Sequence, residues 1–246
     1  MMDSSNLSGS WYLHNCKLND GIRALESIIE PKSSDLLWLG ILHMKQGREG
    51  LAASYLGDSL AVSRDDGDNR LVPVCLCMQS RLYTDRGDYS SAMKLAIEAQ
   101  NFSTQDEWYR TKALSFHAIA YCLRLSGDMD GSIMAYKSAI QIYDDAGDFN
   151  RRDEEVRNLA TAMFLNGEID ECEKLLRGIR GAFSSRTPYS GAYSHVDEAI
   201  LNFIEGDFER SHSEIIKARA AIEECEQTMD KDEELVLEYL ITLLSS

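Results

Sequence analysis

Apolar residues recur at spacings of three and four along nearly the whole chain, the pattern of helices that bury one stripe and expose the other face. The pattern is interrupted at regular places. Glycines stand at Gly47, Gly87, Gly127, Gly167 and Gly206, in steps of 40, 40, 40 and 39 residues. Each follows one apolar helical segment and precedes another, in MKQGREG, TDRGDYS, RLSGDMD, FLNGEID and FIEGDFE. Self-similarity at a fixed period predicts a repeat architecture.

The residues around each glycine repeat as well. Seven before it stands a small residue (Gly40, Ser80, Ala120, Ala160, Ala199), and five after it another (Ala52, Ala92, Ser132, Cys172, Ser211). Nine after it stand Leu56, Ala96, Tyr136, Leu176 and Ile215, larger in four of the five. Small residues let two helices approach closely while larger neighbours interlock. The glycine ends the first helix in a left-handed turn, and the acidic residue after it in four of the five units caps the next. Each unit is therefore expected to be a helical hairpin.

The set small–Gly-Asp-aromatic–Ala–Tyr–Ala resembles the tetratricopeptide repeat. The best matches are Ala120–Gly127-Asp128-Met129–Ser132–Tyr136–Ala139 and Ser80–Gly87-Asp88-Tyr89–Ala92–Ala96–Ala99. The usual period is about 34 residues; a step near 40 is similar to the longer variant found in MalT-type transcription regulators, Rap-type peptide sensors and animal adaptors with G-protein-regulatory motifs. Arg48-Glu49 in the first unit, and His195 and Glu198 in the last, depart from it, as terminal units do. The resemblance implies an all-α, right-handed superhelical solenoid of antiparallel hairpins.

The organisation expected is a disordered tail over 1–10, then a single repeat domain over 11–246. Its parts are a degenerate N-terminal hairpin over 11–30, with Pro31 as a stop, repeats at about 33–70, 71–111, 112–152, 153–189 and 190–229, and an amphipathic helix over 231–244. That last helix reads as a cap over the final unit; the sharper alternative is a dimerisation helix. The stretch 178–191, with Gly178, Gly181, Ser184, Ser185, Pro188 and Gly191, reads as a flexible loop or a bend.

In this family the first helices line the concave wall, and the resemblance places inward residues 13, 10, 6 and 3 before each glycine. The central units then present Arg81, His117, Tyr121, Arg124, Arg157, Thr161 and Phe164, with Glu154 opposing. Arginines on a concave wall hold carboxylates through paired hydrogen bonds, and Tyr121 and Phe164 add contact area. An acidic or C-terminal peptide segment is the expected occupant; the competing reading is that these cations pair with Asp and Glu of neighbouring helices. The Lys/Asn carboxylate clamp of the chaperone-binding version is missing from these positions.

Charge and chemistry narrow the rest. Lys and Arg number 25 against 41 Asp and Glu, a formal net charge of -16. Such a chain is repelled by nucleic-acid backbones and anionic membranes, which leaves protein or peptide as partner. No run of about 18 apolar residues spans a membrane, and Met1–Ser10 lacks the pattern of a secretion signal. The 6 cysteines show no metal-binding spacing and read as reduced core thiols of a cytoplasmic protein. No metal or cofactor is expected. His117 near Tyr121 and Cys77 could be imagined as a reactive cluster, but no catalytic motif accompanies it. The reading is a non-catalytic binding scaffold; the alternative is a small-ligand-sensing domain of a MalT-like regulator.

Overall fold

The structure, a computed structural model, describes residues 9–67, 69–102, 108–182 and 187–245. These form thirteen helices and no strand. A short hairpin, α1 (Gly9–His14) and α2 (Leu18–Glu26), leads into five longer ones. They are α3 (Ser33–Lys45) with α4 (Glu49–Asp65), α5 (Leu71–Asp85) with α6 (Tyr89–Phe102), α7 (Tyr109–Ser126) with α8 (Met129–Ala146), α9 (Phe149–Leu165) with α10 (Ile169–Ile179), and α11 (Pro188–Ile204) with α12 (Phe208–Glu224). The chain ends in α13 (Lys231–Leu244).

The glycine turns work as the sequence suggests. Gly127 ends α7 at φ 92°, a left-handed conformation that an L side chain adopts only at a cost of about 1 kcal/mol or more. The same turn recurs at Gly47, Gly87, Gly167 and Gly206. Asp128 and Asp207 then accept from the backbone N–H three residues on, capping α8 and α12.

Small residues seven before and five after the glycine face each other across the hairpin. Where one of them is serine, its hydroxyl donates to the opposing carbonyl: Ser80 to Ala92, Ser132 to Ala120 and Ser211 to Ala199, at 2.8–2.9 Å. This explains why serine substitutes for alanine there, since both are buried and the serine is hydrogen-bonded.

Three expectations need correction. Gly9 and Ser10 belong to α1, and Gly9 is buried against Trp38; the rest of the expected tail, 1–8, lies outside the described residues. The irregular stretch 178–191 divides: Gly178 lies in α10, 183–186 are outside the described residues, and Pro188 opens α11 behind a Thr187 capping box. The thiols are not all reduced, because Cys16 and Cys225 form a disulfide across 209 residues of sequence; Cys75, Cys77, Cys122 and Cys172 carry no disulfide and are buried.

The disulfide closes the solenoid on itself. It joins the N-terminal hairpin to the segment after α12, beside two backbone donations, Thr228 N–H to the Lys45 carbonyl (2.8 Å) and Asn19 N–H to a Glu226 carboxylate oxygen (2.9 Å). Past this closure, α13 does not merely cap the last unit. It packs on α7 and α9 as well as α11 and α12, across the inner face, with Val236, Leu237 and Leu240 fully buried.

Candidate functional site

Four consecutive hairpins each contribute one cation to the inner wall. Lys45 ends α3, Arg81 lies on α5, Arg124 on α7 and Arg157 on α9. Each stands over a tyrosine ring: Lys45 over Tyr189 (5.3 Å to the centroid), Arg81 over Tyr121 (4.7 Å), Arg124 over Tyr136 (5.3 Å) and Arg157 over Tyr193 (5.1 Å). The negative ring face attracts the cation at about 0.5–2 kcal/mol per pair, more when water is excluded. Burial pushes the Tyr121 and Tyr193 hydroxyls well above their usual range, so they remain neutral donors.

Each cation also meets a carboxylate, and most of these come from the start of α13. Asp230 binds Lys45 at 2.6 Å and Arg81 at 2.9 Å, and accepts from the Tyr193 hydroxyl at 2.9 Å. Arg124 pairs with Asp232. Arg157 lies 2.8 Å from Glu233 and 3.0 Å from Asp197 of α11. Burial opposes the charge on Asp230, but Arg81 and Lys45 override it and hold the carboxyl well below its usual range. Asp197 goes the other way: burial pushes it up to about 7 despite Arg157, and Glu233 adds to the rise. One guanidinium thus serves two carboxylates.

Arg81, His117, Tyr121 and Arg157 line one central cavity of about 370 Å³. His117 Nδ1 is 3.0 Å from Glu155, and the Tyr121 hydroxyl donates to Asp85 at 2.6 Å. Arg124, Thr161 and Phe164 do not line it: Arg124 is sealed by Asp232, the Thr161 hydroxyl donates to the Arg157 carbonyl, and Phe164 packs against Phe203 and Tyr239. Arg124 and Phe164 sit beneath α13, against Asp232 and Tyr239. Lys45, Tyr189, Tyr193 and the α13 carboxylates belong to the site and escaped the sequence reading. Lys45 stands two before Gly47, off the inward register.

The cavity is two-sided. Leu13, Trp38, Met78 and Leu114 give it an apolar wall, and Arg151, Glu154 and His14 a polar one. Burial, with Arg151 nearby, lowers the His14 pKa, and its Nδ1 has no hydrogen-bond partner. Cys77 also lines the cavity, but burial drives its thiol far above the range in which a thiolate forms. Among the described residues, no three His, Cys, Asp or Glu come together to hold a metal ion, and no helix is long and apolar enough to cross a membrane.

Fold and site together define a tetratricopeptide-type helical-repeat solenoid, closed on itself, with a charged central cavity. Solved structures share the fold at low identity. The chain is similar to a Rap protein complexed with competence and sporulation factor, at 15% identity and a TM-score of 0.65 over 93% of this chain and 70% of that one. It is also similar to BtubC (BKLC) from P. vanneervenii, at 14% identity and a TM-score of 0.57 over 88% and 91%. A third likeness is to the nearly identical TPR-like repeats of a putative kinesin light chain from Podosopora anserina, at 17% identity and 0.53 over 76% and 92%. No protein-family model and no curated protein matches the chain.

Proposed function

We propose that the chain is a non-catalytic protein- or peptide-binding scaffold of a regulatory assembly, and that its inner wall holds an acidic or C-terminal segment of the partner. The observation that carries this is the row of four cations, Lys45, Arg81, Arg124 and Arg157, each backed by a tyrosine and each engaged by a carboxylate. A wall built to bind carboxylates is already binding them. The Rap protein of like fold is complexed with competence and sporulation factor, which supports a binding role for such a solenoid.

The test uses a peptide library with acidic, neutral and basic members. The chain's net charge of -16 repels acidic peptides in general, so their enrichment reports the wall itself. Acidic members are expected to be enriched on the wild type, and to lose that enrichment in Arg81→Gln, which leaves Asp230 its Lys45 counter-ion. Enrichment indifferent to charge would overturn the reading.

A second reading, a small-ligand-sensing domain of a MalT-like regulator, is favoured by one feature: a cavity of about 370 Å³ with a buried, unpartnered His14 Nδ1 in its wall, a size suited to small molecules. A metabolite that raises the melting temperature saturably, with no peptide enrichment, would establish it.

A further inference from the structure

We propose that the C-terminal segment, from Gln227 through α13, is an internal ligand of the inner wall, and that the partner presents a helix whose first turn carries carboxylates in the same order. This rests on the reading that the wall takes acidic segments, and adds which segment and what it must displace.

The first observation is the conduct of Asp230. It holds the N-cap position of α13, yet its side chain makes no cap hydrogen bond to its own helix. An aspartate cap stabilises the start of a helix, and here the carboxylate is turned instead to Lys45, Arg81 and Tyr193. A cap given up for partners that lie 37 to 185 positions away in sequence serves docking, not the helix. The next two contacts continue the register: Asp232 on Arg124 and Glu233 on Arg157, one repeat further each time. Three carboxylates within four residues thus read four rungs of the wall. Behind them Val236, Leu237 and Leu240 enter the core between α7, α9 and α11. The recognised pattern is Asp-x-Asp-Glu, two residues, then two apolar residues and a third three positions on.

The second observation is that one of the docking contacts, at Arg157, lacks a locked fork. Nε and Nη2 of Arg157 make no aligned hydrogen bond, nor do the oxygens of Asp197 and Glu233 that face them, although all four atoms are buried. These are charge contacts without the forked geometry that locks an arginine. Glu233 must also share Arg157 with Asp197. Backbone joins α13 to the solenoid only through the stretch 225–230 after α12, so the helix can leave as one unit.

The third observation is charge. While α13 is seated, the wall cations are matched, and the cavity adds Glu154 and Glu155. Once α13 lifts, Lys45, Arg81, Arg124 and Arg157 lose Asp230, Asp232 and Glu233, and Asp197 stays on Arg157. An acidic partner therefore binds by exchange with α13. The Cys16–Cys225 bond, with the Thr228 and Glu226 contacts, pins the linker to α2 and α3 and keeps α13 at high local concentration. Short tethers give effective concentrations on the order of millimolar, which the partner must outcompete.

The probe is a fluorescent synthetic peptide with the sequence of residues 227–244, titrated by anisotropy into the full chain. Asp230→Asn/Asp232→Asn/Glu233→Gln, in the full chain, empties the wall of its own carboxylates and is expected to bind the probe at least tenfold more tightly than wild type. A probe carrying the same three changes should bind neither. Equal binding to wild type and variant would overturn the internal ligand while leaving the acidic-segment reading intact; absence of binding to both folded proteins would overturn both. A mixed dimer of wild type and variant on size exclusion would make a second copy the occupant and overturn the separate partner. Should the triple variant fail to fold, Cys225→Ser frees the linker in an otherwise intact chain: tighter probe binding than wild type is expected, and an unchanged affinity would overturn the proposal.

Discussion

Asp230 is the most connected carboxylate of the site, and its removal gives the sharpest energetic test. Replacing it with Asn keeps the shape and deletes the charge. Lys45, 6% exposed at its side chain, and Arg81, 17% exposed, then lose their main counter-ion. Removing one partner of a buried pair costs about 3–5 kcal/mol, because the remaining charge stays desolvated. A chain of this length loses about 2–4 °C of melting temperature per kcal/mol, so the fall should lie between roughly 6 and 20 °C unless α13 undocks first. Undocking would solvate both cations and limit the fall, at the expense of protection over 231–244. Circular dichroism melts, paired with limited proteolysis at the 225–235 segment, distinguish the two. The half-exposed pair Arg219–Glu234 is the control, and Arg219→Ala should shift stability by no more than about 1 kcal/mol. A melting shift for Asp230→Asn no larger than that of the control, with 225–235 as protease-resistant as in wild type, would refute the view that Asp230 anchors α13.

Three further outcomes follow from the same geometry. Of the 6 cysteines, 4 carry no disulfide, so a thiol titration under denaturing, non-reducing conditions should count four, and Cys16→Ser/Cys225→Ser should lower stability by about 2–4 kcal/mol; a count of six in protein taken from its native host would contradict the closure. Asp197 is raised from its usual value near 3.8 to about 7, so its contribution to stability is present in full below about pH 4 and is lost as the pH rises through about 7; the wild-type melting temperature should fall between those limits, and Asp197→Asn should flatten the decline. A Cβ on Gly40 would meet Leu56 Cγ at 2.7 Å, whereas one on Gly57 meets nothing within 4 Å; Gly40→Ala should destabilise by about 1–3 kcal/mol, and Gly57→Ala, mid-helix in α4, should stabilise by roughly 0.5–1 kcal/mol.

The repeat was legible because its determinants are local. Gly127, Asp128 and Ser132 lie within six residues and act on one another, so their recurrence every 40 residues reports the hairpin directly. The cations of the wall were legible in kind through the register: Arg81, Arg124 and Arg157 stand six, three and ten residues before their glycines, three of the inward offsets. What covers them was not. Arg124 and Asp232 are 108 residues apart, Lys45 and Asp230 are 185, and Cys16 and Cys225 are 209, and no periodic pattern carries pairings at that range. The acidic start of α13 read as a complement to its own helix dipole, a sufficient local explanation that hid the distant one. Thr161 and Phe164 stand at inward register positions, yet an inward position is open to a partner only if nothing folds back over it. A usable signal did exist: three carboxylates in Asp230–Glu233 stand after the last repeat, in a chain whose inner wall is basic.

The most direct test of an inner wall that holds acidic segments by exchanging them with α13 is hydrogen exchange, read on residues 231–244 of the full-length wild type. The measurement is made with and without a saturating acidic peptide of the 227–244 pattern. Faster exchange of the α13 amides while the peptide is bound, with Leu159–Phe164 of α9 still protected, is the expected result. Bound peptide with unchanged protection of α13 would contradict it, and would place the binding surface outside the cavity.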